Sequence, residues 1–140
     1  MVKKLIFSGF LSLVIFMQVT FAQVFDDVDI ILHPVSGNIY YIEGRGGNIG
    51  LLHGDDGILL VDDQYAPLTN KITDAIKQLS HQPVRYIINT HMHPDHTGGN
   101  ENFGRLGAMI VGHENVRSQM IKAGYNQTPP FVPFSEDVTF

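Results

Sequence analysis

The sequence contains no cysteine. No disulfide stabilises the fold, although an oxidising compartment would permit one. Any metal must be held by imidazole and carboxylate rather than thiolate. Lipid attachment through an N-terminal cysteine is excluded as well. Positive charge is scarce: nine Lys and Arg stand against fourteen Asp and Glu, for a formal charge of -5. An acidic chain is a poor partner for nucleic acid or an anionic membrane surface. There is no internal repeat and no low-complexity tract, and 140 residues suit one small domain.

The long apolar run falls at the N-terminus. Lys3 and Lys4 precede it, Leu5 to Phe16 form it, and Thr20-Phe21-Ala22 offers a small-residue cleavage site. That order predicts a secretory signal peptide over residues 1–22. Gln18 and Thr20 leave the run short of the roughly twenty residues a membrane span needs, so no stable membrane anchor is expected. The mature chain, 23–140, is expected to be periplasmic or secreted. Loss of Lys3 and Lys4 takes its formal charge from -5 to -7.

Four short strands are predicted after an acidic lead-in, at Ile30 to His33, Asn38 to Glu43, Asn48 to His53 and Gly57 to Asp62. Pro34-Val35-Ser36-Gly37, Gly44-Arg45-Gly46-Gly47 and Gly54-Asp55-Asp56-Gly57 separate them. The last two are turn signals, since Gly and Asp tolerate positive φ. Gly44-Arg45-Gly46 is not a dinucleotide fingerprint, because Ile49 occupies the third glycine position and a strand follows. Pro67 to Ser80 is predicted helical, with Ile72, Ala75, Ile76 and Leu79 as its apolar stripe. Val84 to Asn89 reads as a buried strand. Asn100 to Leu106 is partly helical, Ala108 to Gly112 a strand, and Glu114 to Ala123 a helix stopped by Gly124. Tyr125 to Glu136 reads as a Pro-rich loop, and Asp137 to Phe140 as the start of another strand.

Between the strand at Val84 to Asn89 and the next element lies Thr90-His91-Met92-His93-Pro94-Asp95-His96-Thr97-Gly98-Gly99-Asn100. Three of the seven histidines and one aspartate fall within six residues. If the chain stays extended past Asn89, His91 and His93 point to one side, because side chains alternate along a strand. Pro94 ends any ladder pairing. Asp95 and His96 then turn inward, and Gly98-Gly99 permit a tight turn. One pair of ligands would hold one metal ion and the second pair another.

The pattern His-x-His-x-Asp-His, followed by Thr-Gly-Gly-Asn, resembles the metal-binding signature of the metallo-beta-lactamase superfamily. A weaker likeness runs from about Asn38 onward, through Gly47-Asn48-Ile49-Gly50-Leu51-Leu52 and Gly57-Ile58-Leu59-Leu60-Val61-Asp62. The resemblance implies an α+β fold, the N-terminal half of an αββα sandwich: a mixed sheet with helices on one outer face. It implies that His91 and His93 bind a first zinc, and Asp95 and His96 a second. Asp95 would also be catalytic, orienting the nucleophile and accepting its proton. The implied reaction is hydrolysis of a lactam, lactone, ester or thioester by metal-bound hydroxide, on a small-molecule substrate. Asp62 matches the first acidic position of the family pattern, where it either orients the metal loop or merely caps a turn. Asp63 reads as a solvated turn residue. His113 suits a structural or capping role, and His33, His53 and His81 look like ordinary element-end residues. Phe131 and Phe134 line a substrate cleft or clamp a covering layer.

The family draws its remaining ligands from a second half. Ile58-Leu59-Leu60-Val61 and Ala108-Met109-Ile110-Val111 are apolar at successive positions, which belongs to sheets covered on both sides. The helices supply one cover. The expectation is therefore a chain truncated after its N-terminal half, whose partner is the missing C-terminal half of the same domain. Imidazole and carboxylate also suit iron. A sulfur dioxygenase-like oxidoreductase on the same fold, or an inactive truncated metal-binding chain, are the alternatives.

Overall fold

The structure, a computed structural model, describes residues 24–125 and 128–134. The predicted signal peptide and the predicted strand start at Asp137 to Phe140 lie outside them. Among the described residues, seven strands form one sheet in chain order. Strands β1 (Ile31–Ser36), β2 (Ile39–Glu43), β3 (Ile49–Gly54) and β4 (Gly57–Val61) pair antiparallel through short turns. Strands β5 (Val84–Asn89), β6 (Met109–His113) and β7 (Val132–Phe134) continue the sheet parallel to β4.

Parallel strands need crossovers, and helices supply them. A 3-10 turn at Ala66–Leu68 leads into α1 (Thr69–Leu79) between β4 and β5. The helical turn α2 (Pro94–Thr97) and α3 (Asn100–Arg105) lie between β5 and β6, and α4 (Glu114–Ala123) lies between β6 and β7. The strand order advances one place at each crossover. Right-handed crossovers in one direction put all the helices on the same face. This is the mixed α+β sheet, with helices on one side, that the resemblance implies.

Alternation sorts the strand residues into two faces. Ile42, Ile49, Leu51, Ile58, Leu60, Ile87 and Ile110 are fully or almost fully buried beneath Leu68, Ile72, Ile76 and Phe103. Each such side chain contributes about 1.5–3 kcal/mol by leaving water. The opposite face bears a row of register partners, Ile39, Leu52, Leu59, Tyr86 and Met109. Tyr86 and Met109 are each 46% exposed and Ile39 47%. Among the described residues, this face carries no helix of its own. No described helix is long and apolar enough to cross a membrane.

Three sequence expectations need correction. The Pro34-Val35-Ser36 segment belongs to β1 rather than to a turn, with a register irregularity between Pro34 and Ser36. Proline is tolerated there because β1 is an edge strand. The Pro-rich loop contains β7, which pairs with β6 through Val132, Pro133 and Phe134. The chain is also not extended through the histidines: β5 ends at Asn89, residues 91–93 bend, and Pro94 opens α2. Pro94 sits at the start of a helical turn, where its missing N–H costs nothing.

Candidate metal centre

Strands β4 and β5 run parallel, so their carboxyl ends bring Asp62 and the Thr90–Asn100 segment to one edge of the sheet. Ligands bind at that edge in open α/β sheets. Asp62 follows β4 in the left-handed region, φ 68°, and is buried. Its Oδ1 accepts the Thr90 N–H at 2.8 Å, and its Oδ2 accepts the Thr90 hydroxyl at 2.7 Å. The same Oδ2 lies 2.7 Å from His96 Nδ1. With three donors on one buried carboxylate, Asp62 is committed to holding the turn. A carboxylate on Nδ1 fixes the tautomer and leaves Nε2 of His96 as the lone-pair nitrogen.

The other donors gather around His96. The His91 ring centroid lies 3.9 Å from that of His96, and His93 meets His91 edge-on at 4.9 Å. Asp95 Oδ2 is 3.4 Å from His96 Nε2. His91 Nδ1 is 3.0 Å from the Thr90 hydroxyl, leaving its Nε2 available. Ligand atoms of Asp62, His91 and His96 all fall within 4.8 Å of one another. The structure therefore sets all four predicted ligands on one turn above Asp62, but the ligand atoms gathered closely enough for one ion are those of Asp62, His91 and His96. His93 adjoins them through its ring contact with His91, and Asp95 through its carboxylate beside His96. This donor set of neutral imidazole and carboxylate fits a zinc or iron ion. Desolvation, then the neighbouring His96 and His93, push the His91 pKa below the ordinary imidazole value, against the pull of Asp62 and Asp95. Neutral imidazole is the form that ligates.

The turn is tied down on every side. His93 O accepts the amides of His96 at 3.0 Å and Thr97 at 3.1 Å, closing α2. Asn89 Nδ2 donates to His96 O at 3.3 Å, and Asn100 Nδ2 donates to Asn89 Oδ1 at 2.9 Å and Thr128 O at 2.7 Å. Asp63 is fully buried, which overturns its reading as a solvated turn residue. Its Oδ1 accepts the Gly99 N–H at 2.8 Å. Burial holds its carboxyl well above the usual carboxylate range; the Gly99 amide opposes this and the Asp62 charge adds to it.

Sequence reasoning missed the loop between β2 and β3. A Cβ on Gly46 would lie 2.8 Å from Asp95 Cβ, and one on Gly47 would lie 2.6 Å from His96 Cε1. Only glycine lets the loop approach the Asp95 and His96 side chains this closely. Gln64, fully buried with φ 56°, bonds to both ends of that loop. The run Gly44-Arg45-Gly46-Gly47 signalled a turn, but nothing in it pointed to Asp95 or His96.

The remaining histidines sit elsewhere. His33 pairs with Glu43 at 2.8 Å and stacks on Tyr41, and His53 packs beside Tyr40. His81 is exposed, and His113 caps α4 by accepting the Asn115 N–H. Phe131 is 59% exposed beside Gly104. The Phe134 side chain lies outside the described residues.

The sequence model of the metallo-beta-lactamase superfamily matches residues 34–137. Among curated proteins, a coenzyme F420-H2 oxidase from Methanothermobacter marburgensis is 35% identical over 63 residues, 42% of this chain and 16% of that protein. Among solved structures, a metallo-beta-lactamase from Pontibacter korlensis superposes with TM-score 0.66 at 24% identity, over 80% of this chain and 55% of its own. A mono-zinc metallo-beta-lactamase from Pseudomonas aeruginosa gives TM-score 0.69 at 20% identity, over 79% and 53%. The chain spans about half the length of these structures, and the likeness to them is one of fold. The model's match over most of the chain decides the family: this protein belongs to the metallo-beta-lactamase superfamily.

Proposed function

We propose that this chain carries the N-terminal metal ligands of an exported zinc-dependent hydrolase, acting on a lactam, lactone, ester or thioester. The observation that carries the reading is the gathering of three imidazoles and the Asp95 carboxylate on one turn, with Asp62 bonded beneath it. His91 and His93 would hold one ion, Asp95 and His96 a second. When bound, zinc supplies Lewis acidity and lowers the pKa of a coordinated water towards ~7. The chain's own groups do the positioning. Asp62 holds the His96 proton on Nδ1, so Nε2 stays a ligand. Asp95 would orient an attacking water and accept its proton.

The match to an oxidase over 63 residues favours a second reading, an iron-dependent oxidoreductase on the same scaffold. The test is made on protein expressed from its full reading frame. Elemental analysis should find zinc. Hydrolysis of nitrocefin or of a lactone, ester and thioester panel should vanish in His91→Ala and His96→Ala. Iron in place of zinc, with no hydrolysis of any class, would overturn the hydrolase in favour of the oxidoreductase.

A further inference from the structure

Gln64 is an unusual residue for its place. It is fully buried, it holds a left-handed backbone, and it follows the two aspartates that support the metal turn. A buried amide is costly unless both of its ends are bonded. Here they are, and to one target. Oε1 accepts the Arg45 N–H at 3.2 Å and Nε2 donates to Gly47 O at 2.5 Å, so one side chain grips the β2–β3 loop at its entry and its exit. A Cβ on Gly44 would collide with this amide, so glycine there lets the grip close. The Gln64 carbonyl accepts the Gly99 N–H at 3.0 Å, which ties the same residue to the far end of the metal turn.

The gripped loop bears directly on the ligands. Gly46 sits against the Asp95 side chain, and Gly47 against the His96 ring at Cε1. His96 is therefore held from two directions, by Asp62 at Nδ1 and by the loop at Cε1. Gln64 is bonded to neither ligand side chain. We propose that Gln64 is a positioning residue: it clamps the Gly44–Gly47 loop onto Asp95 and His96 and thereby sets their spacing for metal. This rests on the zinc reading above.

The test uses protein from the full reading frame. Gln64→Leu fills the space without gripping the loop, and Gly47→Ala pushes the loop off His96. Zinc affinity is read by competition with a chromophoric chelator, ligand geometry by the visible spectrum of the cobalt form, and folding by far-ultraviolet circular dichroism. Each variant should bind zinc about ten-fold more weakly or worse, a loss of the size typical of groups that orient ligands. The cobalt spectrum should change while the dichroism does not. The double variant should be no weaker than the worse single, because both act through one loop. Zinc affinity within about two-fold of the unmodified protein in folded Gln64→Leu overturns the proposal, as does an additive loss in the double variant. If Gln64→Leu does not fold, the unmodified protein decides. Zinc should slow hydrogen exchange at the Arg45 amide, and unchanged exchange overturns the proposal. An unmodified protein that binds no zinc overturns the ligand reading itself, a result distinct from a bound zinc indifferent to Gln64.

Discussion

His96 Nδ1 stands 2.7 Å from Asp62 Oδ2, a contact closed across 34 residues of sequence. Asp62 is thus a tautomer-setting group as well as an anchor for Thr90. Asp62→Ala should weaken zinc binding by about 10–100-fold. Asp62→Asn should do comparable damage although it keeps the shape. An amide NH₂ facing Nδ1 makes that nitrogen the acceptor and moves the proton to Nε2, where it blocks ligation. Chelator competition gives the affinity, and imidazole ¹⁵N shifts report the tautomer. Near-normal affinity in Asp62→Asn would remove the tautomer argument.

Asp63 gives a pH signature in the metal-free protein. Its folded pKa is raised, chiefly by burial. The native state then binds more protons than the unfolded chain between the unfolded carboxylate value, about 3.9, and the folded value. Stability from this group is present at low pH and is lost as pH rises through that window. Asp63→Asn keeps an acceptor for the Gly99 N–H and has no proton to lose. Its urea midpoint should therefore fall less than that of the unmodified protein as pH is raised from acid to neutral. Parallel pH profiles for the two proteins would show that Asp63 is not buried as a neutral acid.

Phe103 fastens the exit of the histidine turn to the core. It is fully buried, and its amide bonds to Gly99 O at 3.0 Å. Phe103→Ala should cost about 3–5 kcal/mol of unfolding free energy. Urea denaturation measures the loss. A cost below about 1 kcal/mol would mean that the core closes over the gap.

What was legible in the sequence follows how local each signal is. Val84–Asn89 and Glu114–Ala123 were read to the residue, because an apolar run and a glycine stop are local instructions. Helices on one outer face followed from the family resemblance, whereas strands apolar on both faces asked for cover on each side. Pro34 and Pro133 misled, because proline breaks a central strand but not an edge one, and edge position is a property of the whole sheet. The candidate metal turn stood out because its potential donors are neighbours in sequence, but its helical shape did not, since alternation was assumed past Asn89. Asp63, Gln64 and the loop at Gly46-Gly47 depend on contacts 17 or more residues apart. No local pattern encodes those.

The open face of the sheet sets the last expectation. The row Ile39, Leu52, Leu59, Tyr86 and Met109 crosses five strands without a covering layer among the described residues. Contiguous apolar surface of this kind drives association. The motif also supplies only two ligands to each proposed ion, whereas a catalytic zinc normally takes three from protein and keeps one position open. Among the described residues, His33 is engaged with Glu43 and His113 caps α4, so neither offers a third. The polypeptide of these 140 residues, expressed alone with zinc, should therefore self-associate and hydrolyse nitrocefin or a lactone no faster than a zinc blank. Leu52→Lys with Tyr86→Lys should shift it towards monomer in size-exclusion chromatography without creating turnover, because the charges cover the face but add no ligand. Turnover by the 140-residue polypeptide that disappears in His91→Ala would show that two ligands per ion suffice here, and would overturn the need for a second ligand-bearing layer.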